Sequence, residues 1–441
     1  MAESELAGTL RLAGPIVLAE LGWMAMGNVD VMMVGRVGGQ AIAAVSLGTT
    51  IFYTVAICAS SVLLGMDTLV SHAFGAKDRE RARRSLVQGL WISLLLVPSV
   101  MWIVEVSQLF LEKFGVNPLV LRGGLLYLRV LNWSTPPLLL YFCLRRYLQA
   151  AGVVRPVMWV LLTANLVNLA GNWILVFGRF GLPALGAVGS GWATFASRIY
   201  MAAALAVILW RIDPGIFRET SWRPDLAGIR ALARLGLPAA GQIGVEYGVF
   251  TVATLLVGRL SALSLAAHQL ALNTVYTTYM LPLGLSSAAA VRVGQALGRG
   301  DARSASRSGW VAVGLGAAVM STAAVILLTV PRWIARLFTP ELDVIAGAVT
   351  LLRIAAFFQL FDGLQVVTTG ALRGAGDTRT PMLCHFLGYW LIGLPVGVWL
   401  CFGRDWGAPG LWTGLSVGLI LIGSTLTVVW RRAASRFALL K

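Results

Sequence analysis

Charge is what this sequence has least of: only 12% of its 441 residues are Asp, Glu, Lys or Arg, while 58% are hydrophobic. At a mean hydropathy of +0.79, too little polar surface is left to cover a soluble globule. Cysteine is scarce as well. Cys58, Cys143, Cys384 and Cys401 fall in apolar stretches without CxxC spacing, which argues for buried thiols and against a disulfide or metal framework. No GxxxxGKS/T segment is present to cradle nucleotide phosphates, so an ATP-driven activity would need a partner chain. The net charge of +16 would suit nucleic acid if it formed one patch, but the basic residues are dispersed among short loops.

What the chain does have is apolar length. A helix needs about 20 apolar residues to cross the bilayer core. Twelve stretches qualify: 10–35, 43–74, 85–110, 119–144, 156–178, 185–210, 230–258, 265–297, 306–331, 344–372, 380–402 and 408–430. The fold class expected is therefore an all-α integral membrane protein. Span one follows an acidic Met1-Ala2-Glu3-Ser4-Glu5 with no basic leader or cleavage site, and reads as a retained span. Lys77, Arg79, Arg81, Arg83 and Arg84 crowd the loop after span two, Arg145, Arg146 and Arg155 that after span four, and Arg211, Arg218, Arg223 and Arg230 that after span six. Arg431, Arg432, Arg436 and Lys441 follow span twelve, whereas loops such as those of Arg36, Lys113 and Arg179 hold one or two. By the positive-inside rule the crowded loops, and with them both termini, are cytoplasmic.

A second regularity is internal. Pro15 and Pro238 are 223 residues apart, and the same offset aligns Val34-Gly35-Arg36 with Val257-Gly258-Arg259, Gly75 with Gly298, Asp78 with Asp301 and Arg84-Ser85 with Arg307-Ser308. At an offset of 224, Gly152 meets Gly376 and Arg155 meets Arg379. The chain reads as two six-helix halves, 1–221 and 222–441, in parallel orientation, with the Arg211 to Arg230 segment as linker. Parallel repeats with binding sites between or within them are a common plan of secondary transporters.

Against this background the acids at depth stand out. Glu20, Asp30, Glu246 and Asp362 lie inside apolar spans, where an uncompensated charge is disfavoured by ~3 kcal/mol or more. Asn168 and Asn172 are four apart and share a helix face. One carboxylate with amide and hydroxyl oxygens would suit a hard cation such as Na+, and a carboxyl near the midplane can take a proton on one side and release it on the other. Asp30 could equally be an acceptor between helices, Glu20 could touch water, and Asp67 and Glu105, nearer span ends, read as solvated. His72 and His268 are expected to hydrogen-bond locally, since neither has a second ligand four residues on. Trp23, Tyr53, Tyr247, Tyr276, Phe358 and Phe361 could stack on planar cations in a cavity, though most such rings simply pack. Trp399, Trp406 and Trp412 fit interfacial belts. Pro15 and Pro238 remove an amide donor from spans one and seven and so permit a bend.

Several of these segments together resemble the multidrug and toxic compound extrusion (MATE) family, in its NorM-like bacterial branch. They are Pro15, Val29-Asp30, Val34-Gly35-Arg36, Ala43-Ala44-Val45-Ser46-Leu47-Gly48, Leu69-Val70-Ser71-His72-Ala73-Phe74-Gly75-Ala76, Ala266-Ala267-His268-Gln269 and Leu372-Arg373-Gly374-Ala375-Gly376-Asp377. The resemblance implies twelve helices in two pseudo-symmetric lobes around a V-shaped cavity. It also implies a non-enzymatic antiporter exporting small organic, chiefly cationic or otherwise amphipathic, compounds against Na+ or H+. Asp30 falls on the family's N-lobe coupling aspartate, with Asn168, Asn172 and Thr194 around it. Asn172 replaces an aspartate of some members, which weakens the case for Na+ there. Glu246 and Asp362 match the family's acidic pair of the C-lobe, and Phe358 stands where some members have tyrosine.

The expected coupling residues are thus Asp30, Asn168, Asn172, Thr194, Glu246 and Asp362, with Glu20, Trp23, Tyr53, Tyr247, Tyr276, Phe358 and Phe361 as a weaker substrate set. No cofactor is expected, and Na+ at Asp30 is the only metal envisaged. The partners expected are small molecules and the lipid bilayer, with no nucleic acid, for a monomer in the bacterial inner membrane. Two other readings stay open: a lipid-linked oligosaccharide flippase of the same superfamily, which should line its cavity with arginines, and a non-transporting membrane scaffold.

Overall fold

A computed structural model of the chain describes residues 2–111 and 118–439; Lys113 and Lys441, counted in the charge pattern, lie outside them. Among the described residues the regular structure is helical. In chain order the helices are α1 Ala2–Gly35, α2 Gly39–Ser61, α3 Gly65–Gly75, α4 Arg79–Leu111, α5 Pro118–Trp133, α6 Thr135–Ala150, α7 Val154–Leu175, α8 Gly186–Ile212 and α9 Gly215–Arg218. The second half continues with α10 Leu226–Gly258, α11 Ala262–Gly298, α12 Ala302–Thr329, α13 Pro331–Arg336, α14 Leu342–Gly374, α15 Arg379–His385, α16 Leu394–Val398 and α17 Ala408–Leu439. The segments Phe386–Gly393 and Trp399–Gly403, flanking α16, are π-helical.

Ten helical stretches are long and apolar enough to cross a membrane. The two further predicted spans are present with a different local character. Span four is the pair α5 and α6, each 16 residues long; Ser134 interrupts them, and Pro136 and Pro137 in the first turn of α6 need no amide partner there. Span eight is α11, 37 residues whose threonines, serines, asparagine and glutamines lower its hydropathy. The fold is twelve transmembrane helices in two six-helix sets. Pro15 and Pro238 lie inside α1 and α10, and neither ends its helix.

The duplication is visible at matching turns. Asp78 accepts the Arg81 amide at 2.8 Å and Asp301 that of Ser304 at 2.9 Å, so each caps the helix that follows. The Ser304 amide holds the Asp301 carboxyl below its ordinary range. Just before these caps the chain turns through positive φ at Lys77 (60°) and Gly300 (75°), and it does so again at Gly152 (84°) and Gly376 (89°). Glycine suits three of these four turns because it carries no Cβ to clash.

Contact density divides the chain into Leu18–Ala240 on one side and Met1–Val17 with Gly241–Lys441 on the other. Sequence register places the repeat boundary at 221/222, whereas packing assigns the first turns of α1 and α10 to the opposite unit. In the first unit, α10 packs so closely on the α2–α3 junction that a Cβ at Gly65 would lie 2.7 Å from the Leu232 carbonyl. In the second, Glu5 pairs with Arg292 and accepts the Ser308 hydroxyl at 3.0 Å. The linker is strapped to the start of α4: Arg83 bridges Asp213 and Glu219, and Trp91 donates to the Trp222 carbonyl at 2.9 Å.

Three expectations are corrected. Arg145 and Arg146 do not sit in a loop, because α6 runs on to Ala150 and buries Arg145. Asp67 is buried, 3.7 Å from Arg146, rather than solvated. Trp412 is a core residue whose indole N–H donates to His268 Nδ1 at 2.9 Å.

Candidate functional site

Three helices converge on Asp30. It projects from α1, near its end, into a buried niche walled by α7 and α8. The i, i+4 spacing on α7 aims both Asn168 and Asn172 at the same oxygen: their Nδ2 atoms donate to Asp30 Oδ1 at 3.0 and 2.8 Å. From α8, Thr194 Oγ1 donates to Oδ2 at 2.8 Å. All four side chains are buried. Hydrogen bonds to a charged group are worth about 1.5–3 kcal/mol each, so three of them can offset the ~3 kcal/mol that a charge in hydrocarbon costs. Asn172 Oδ1 is left buried with no partner. A turn further along α8, the fully buried Arg198 donates to the Tyr53 hydroxyl at 2.9 Å and to Ser134 Oγ, and lies 4.8 Å over the Phe52 ring. Its field falls on Asp30.

In the second unit, Glu246 of α10 and Asp362 of α14 line one cavity with Tyr247, Tyr276, Tyr279 and Phe358. The cavity holds about 90 Å³, room for roughly three water molecules at ~30 Å³ each and well short of the ~300 Å³ at which ligand pockets begin. Gln365 Nε2 reaches both Asp362 Oδ1 (3.1 Å) and the Tyr389 hydroxyl (3.3 Å), while Asp362 Oδ2 has no partner. Behind Glu246, off the cavity, His385 Nε2 stands 4.0 Å from Glu246 Oε2 and 3.4 Å from Gln242 Nε2.

The remaining predicted residues are placed differently. Glu20 forms a buried ion pair with Arg145. Trp23 stacks on Tyr141 with ring centroids 6.1 Å apart and meets Tyr53 edge-on at 6.3 Å; neither Trp23 nor Tyr53 reaches Asp30 through a hydrogen bond. Phe361 does not line the Glu246 cavity. His268 is fixed between Trp412 and Thr254, whose Oγ1 is 2.9 Å from Nε2. Sequence reasoning passed over His385, Tyr279, Tyr389, Gln242 and Gln365. A hint was available for His385, an ionisable residue six positions inside an apolar span.

The MatE family profile matches the chain twice, over residues 15–174 and 238–399, starting 223 apart in the register of the duplication. A Bradyrhizobium diazoefficiens protein named "Probable multidrug resistance protein NorM" is 37% identical over 98% of this chain and 94% of its own length. Proteins of the same name from Burkholderia mallei (39% identical, 96% of this chain, 92% of theirs) and Pseudomonas aeruginosa (37%, 97% and 90%) are similar to the same extent. Among solved structures, the eukaryotic MATE transporter AtDTX14 superposes with a TM-score of 0.88 at 21% identity, covering 99% of this chain and 98% of that one. A multidrug resistance MATE family transporter in an outward-facing conformation gives 0.87 at 17%, covering 98% and 97%. At these identities the structural likeness is one of fold.

Proposed function

Because the chain belongs to the MatE family of multidrug efflux transporters, which are not enzymes, we propose that it is a secondary antiporter exporting small organic cations in exchange for an inward ion. It works as a monomer in the bacterial inner membrane, with the crowded basic loops and both termini in the cytoplasm. The observation that carries this reading is the niche around Asp30: one buried carboxylate, three donors and one unpartnered amide oxygen.

The arrangement supports H+ over Na+ as the coupling ion. With three donors aimed at it, Asp30 is prepared as a carboxylate. A proton landing on it needs an acceptor, and Asn172 Oδ1 supplies one after that single amide turns over. Na+ wants oxygen ligands, so both amides would have to turn. Either ion removes the negative charge that the donors hold, which loosens α1 from α7 and α8. Export then requires that ion and drug prefer opposite arrangements, since a ligand shifts two states only by its differential affinity for them.

Purified protein in liposomes, loaded with ethidium and given a pH gradient or a Na+ gradient separately, tests the reading. Movement is expected with the pH gradient and is expected to vanish in Asp30→Asn while that variant stays folded and inserted. Full transport by Asp30→Asn would overturn the assignment of Asp30.

A further inference from the structure

We propose that His385 is a second seat for the coupling proton of the Glu246 cavity, sharing that proton with Glu246 and setting the pH range over which the transporter turns over. The inference rests on the antiport reading above and goes beyond it to a residue that neither the sequence motifs nor the acidic pair point to.

The geometry fixes the tautomer. His385 Nδ1 lies 2.8 Å from the Pro381 carbonyl, which can only accept, so Nδ1 carries a hydrogen and the lone pair of the neutral ring is on Nε2. That nitrogen faces the Gln242 amide at 3.4 Å and Glu246 Oε2 at 4.0 Å. Glu246 therefore has the cavity on one side and a buried base on the other, since His385 does not line the cavity. The 4.0 Å gap exceeds a hydrogen bond; a rotation of the Glu246 side chain or one bridging water closes it. In the transfer the O–H bond of the Glu246 carboxyl breaks and an N–H bond forms at Nε2, turning a neutral pair into carboxylate and imidazolium with no net proton gained or lost. The reverse step returns the proton to the cavity.

The surroundings suit a shared proton. Glu246 and Gln242 face His385 from α10, and Tyr389 faces it from its own helix, with ring centroids 5.9 Å apart. Tyr389 in turn meets Gln365 and through it Asp362 of α14; α11 adds Tyr276 and Tyr279 to the cavity wall. Among the described residues, no lysine or arginine forms an ion pair with Glu246, Asp362 or His385, so the imidazolium would be the local counter-charge of the two acids. His385 also closes α15, where the chain passes into the π-helical Phe386–Gly393 segment. Such departures from α-helical winding are frequent at functional sites.

Two measurements test the proposal. The chain has three histidines, so 15N-histidine labelling of the native protein in detergent micelles resolves each ring. His385 Nε2 is expected to pass from its neutral to its protonated shift across the pH range in which ethidium/H+ exchange turns on, and to follow a different curve in Glu246→Gln. In liposomes, His385→Gln removes one seat, so its half-maximal pH should move toward acid, by about 0.3 unit if the two seats share the proton equally and by more if His385 holds the larger part. A His385 signal that stays neutral between pH 5 and 8, as about 1.5 units on either side of the free imidazole value, would overturn the proposal. So would a His385→Gln profile superimposable on wild type. The first readout does not depend on the variant folding. Absence of any gradient-driven ethidium movement by wild-type protein would instead strike the antiport reading.

Discussion

In the antiport proposed above, Asn172 is the residue on which the choice of coupling ion turns. As an amide it donates to Asp30; as a carboxylate it would place a second negative charge against the first, and two such groups cannot both stay ionised without a cation between them. Asn172→Asp is therefore expected to create Na+ dependence. Melting in NaCl against choline chloride should show Na+ stabilising the variant and not the wild type, by up to ~2.7 kcal/mol if Na+ reaches about 100 times its dissociation constant. No difference between the two salts in the variant would show that the niche is not a cation site. At this scale spacing alone shows that Asn168 and Asn172 share a helix face, while it is the family resemblance that groups them and Thr194 around Asp30, where the structure places their hydrogen bonds. Legibility fails where no motif ties the two partners together. Glu20 looks like a cavity residue until Arg145, 125 positions away, is found against it, and removing one member of such a buried pair strands the other charge. His385 escapes notice for the same reason, because nothing near it in sequence announces Glu246.

Helices in lipid hold together by close packing of small residues more than by apolar burial, and α14 shows how strict that packing is. A Cβ on Gly374 would strike the carbonyl and Cα of Ala290 on α11, backbone that cannot rotate aside. On α12, a Cβ on Gly314 would meet nothing within 4 Å. Gly374→Ala is expected to force α11 and α14 apart and to lose the monodisperse peak in fluorescence-detected size exclusion. Gly314→Ala should leave that peak unchanged and add up to ~1 kcal/mol of helix propensity. Equal behaviour of the two variants would mean that the α11–α14 contact is not limiting. The spans themselves are legible because each is a long apolar run, and their ends extend by as many as nine residues where the polar flanks, as at Arg79 and after Trp430, prove helical too. What hydropathy cannot register is a change of winding inside a run. The break at Ser134, whose hydroxyl Arg198 meets, and the π-helical stretches around α16, the first of which follows His385 and carries Tyr389, leave apolarity untouched.

Seen whole, the molecule does not keep its two repeats apart. The unit Leu18–Ala240 contains the opening turns of the second repeat's first helix, and Met1–Val17 belongs with Gly241–Lys441. A cut at 221/222 would therefore leave each fragment short of part of its own packing: residues 18–221 would lose the α10 turns that cover Val62 and Gly65, and residues 241–441 would lose Glu5 opposite Arg292 and Val17 against Gly284. Each fragment would then expose small-residue backbone surfaces that the intact chain covers, and the second would leave Arg292 without Glu5. Expressed singly, the fragments 1–221 and 222–441 are expected to be degraded. Expressed together from separate promoters, they should accumulate, co-purify and restore ethidium efflux, because each brings the turns that the other unit lacks. Stable accumulation of either fragment alone would show that its six helices close a core without the exchanged turns. Repeat and packing unit would then coincide, and the opening turns of α1 and α10 would lose their part in building the opposite unit.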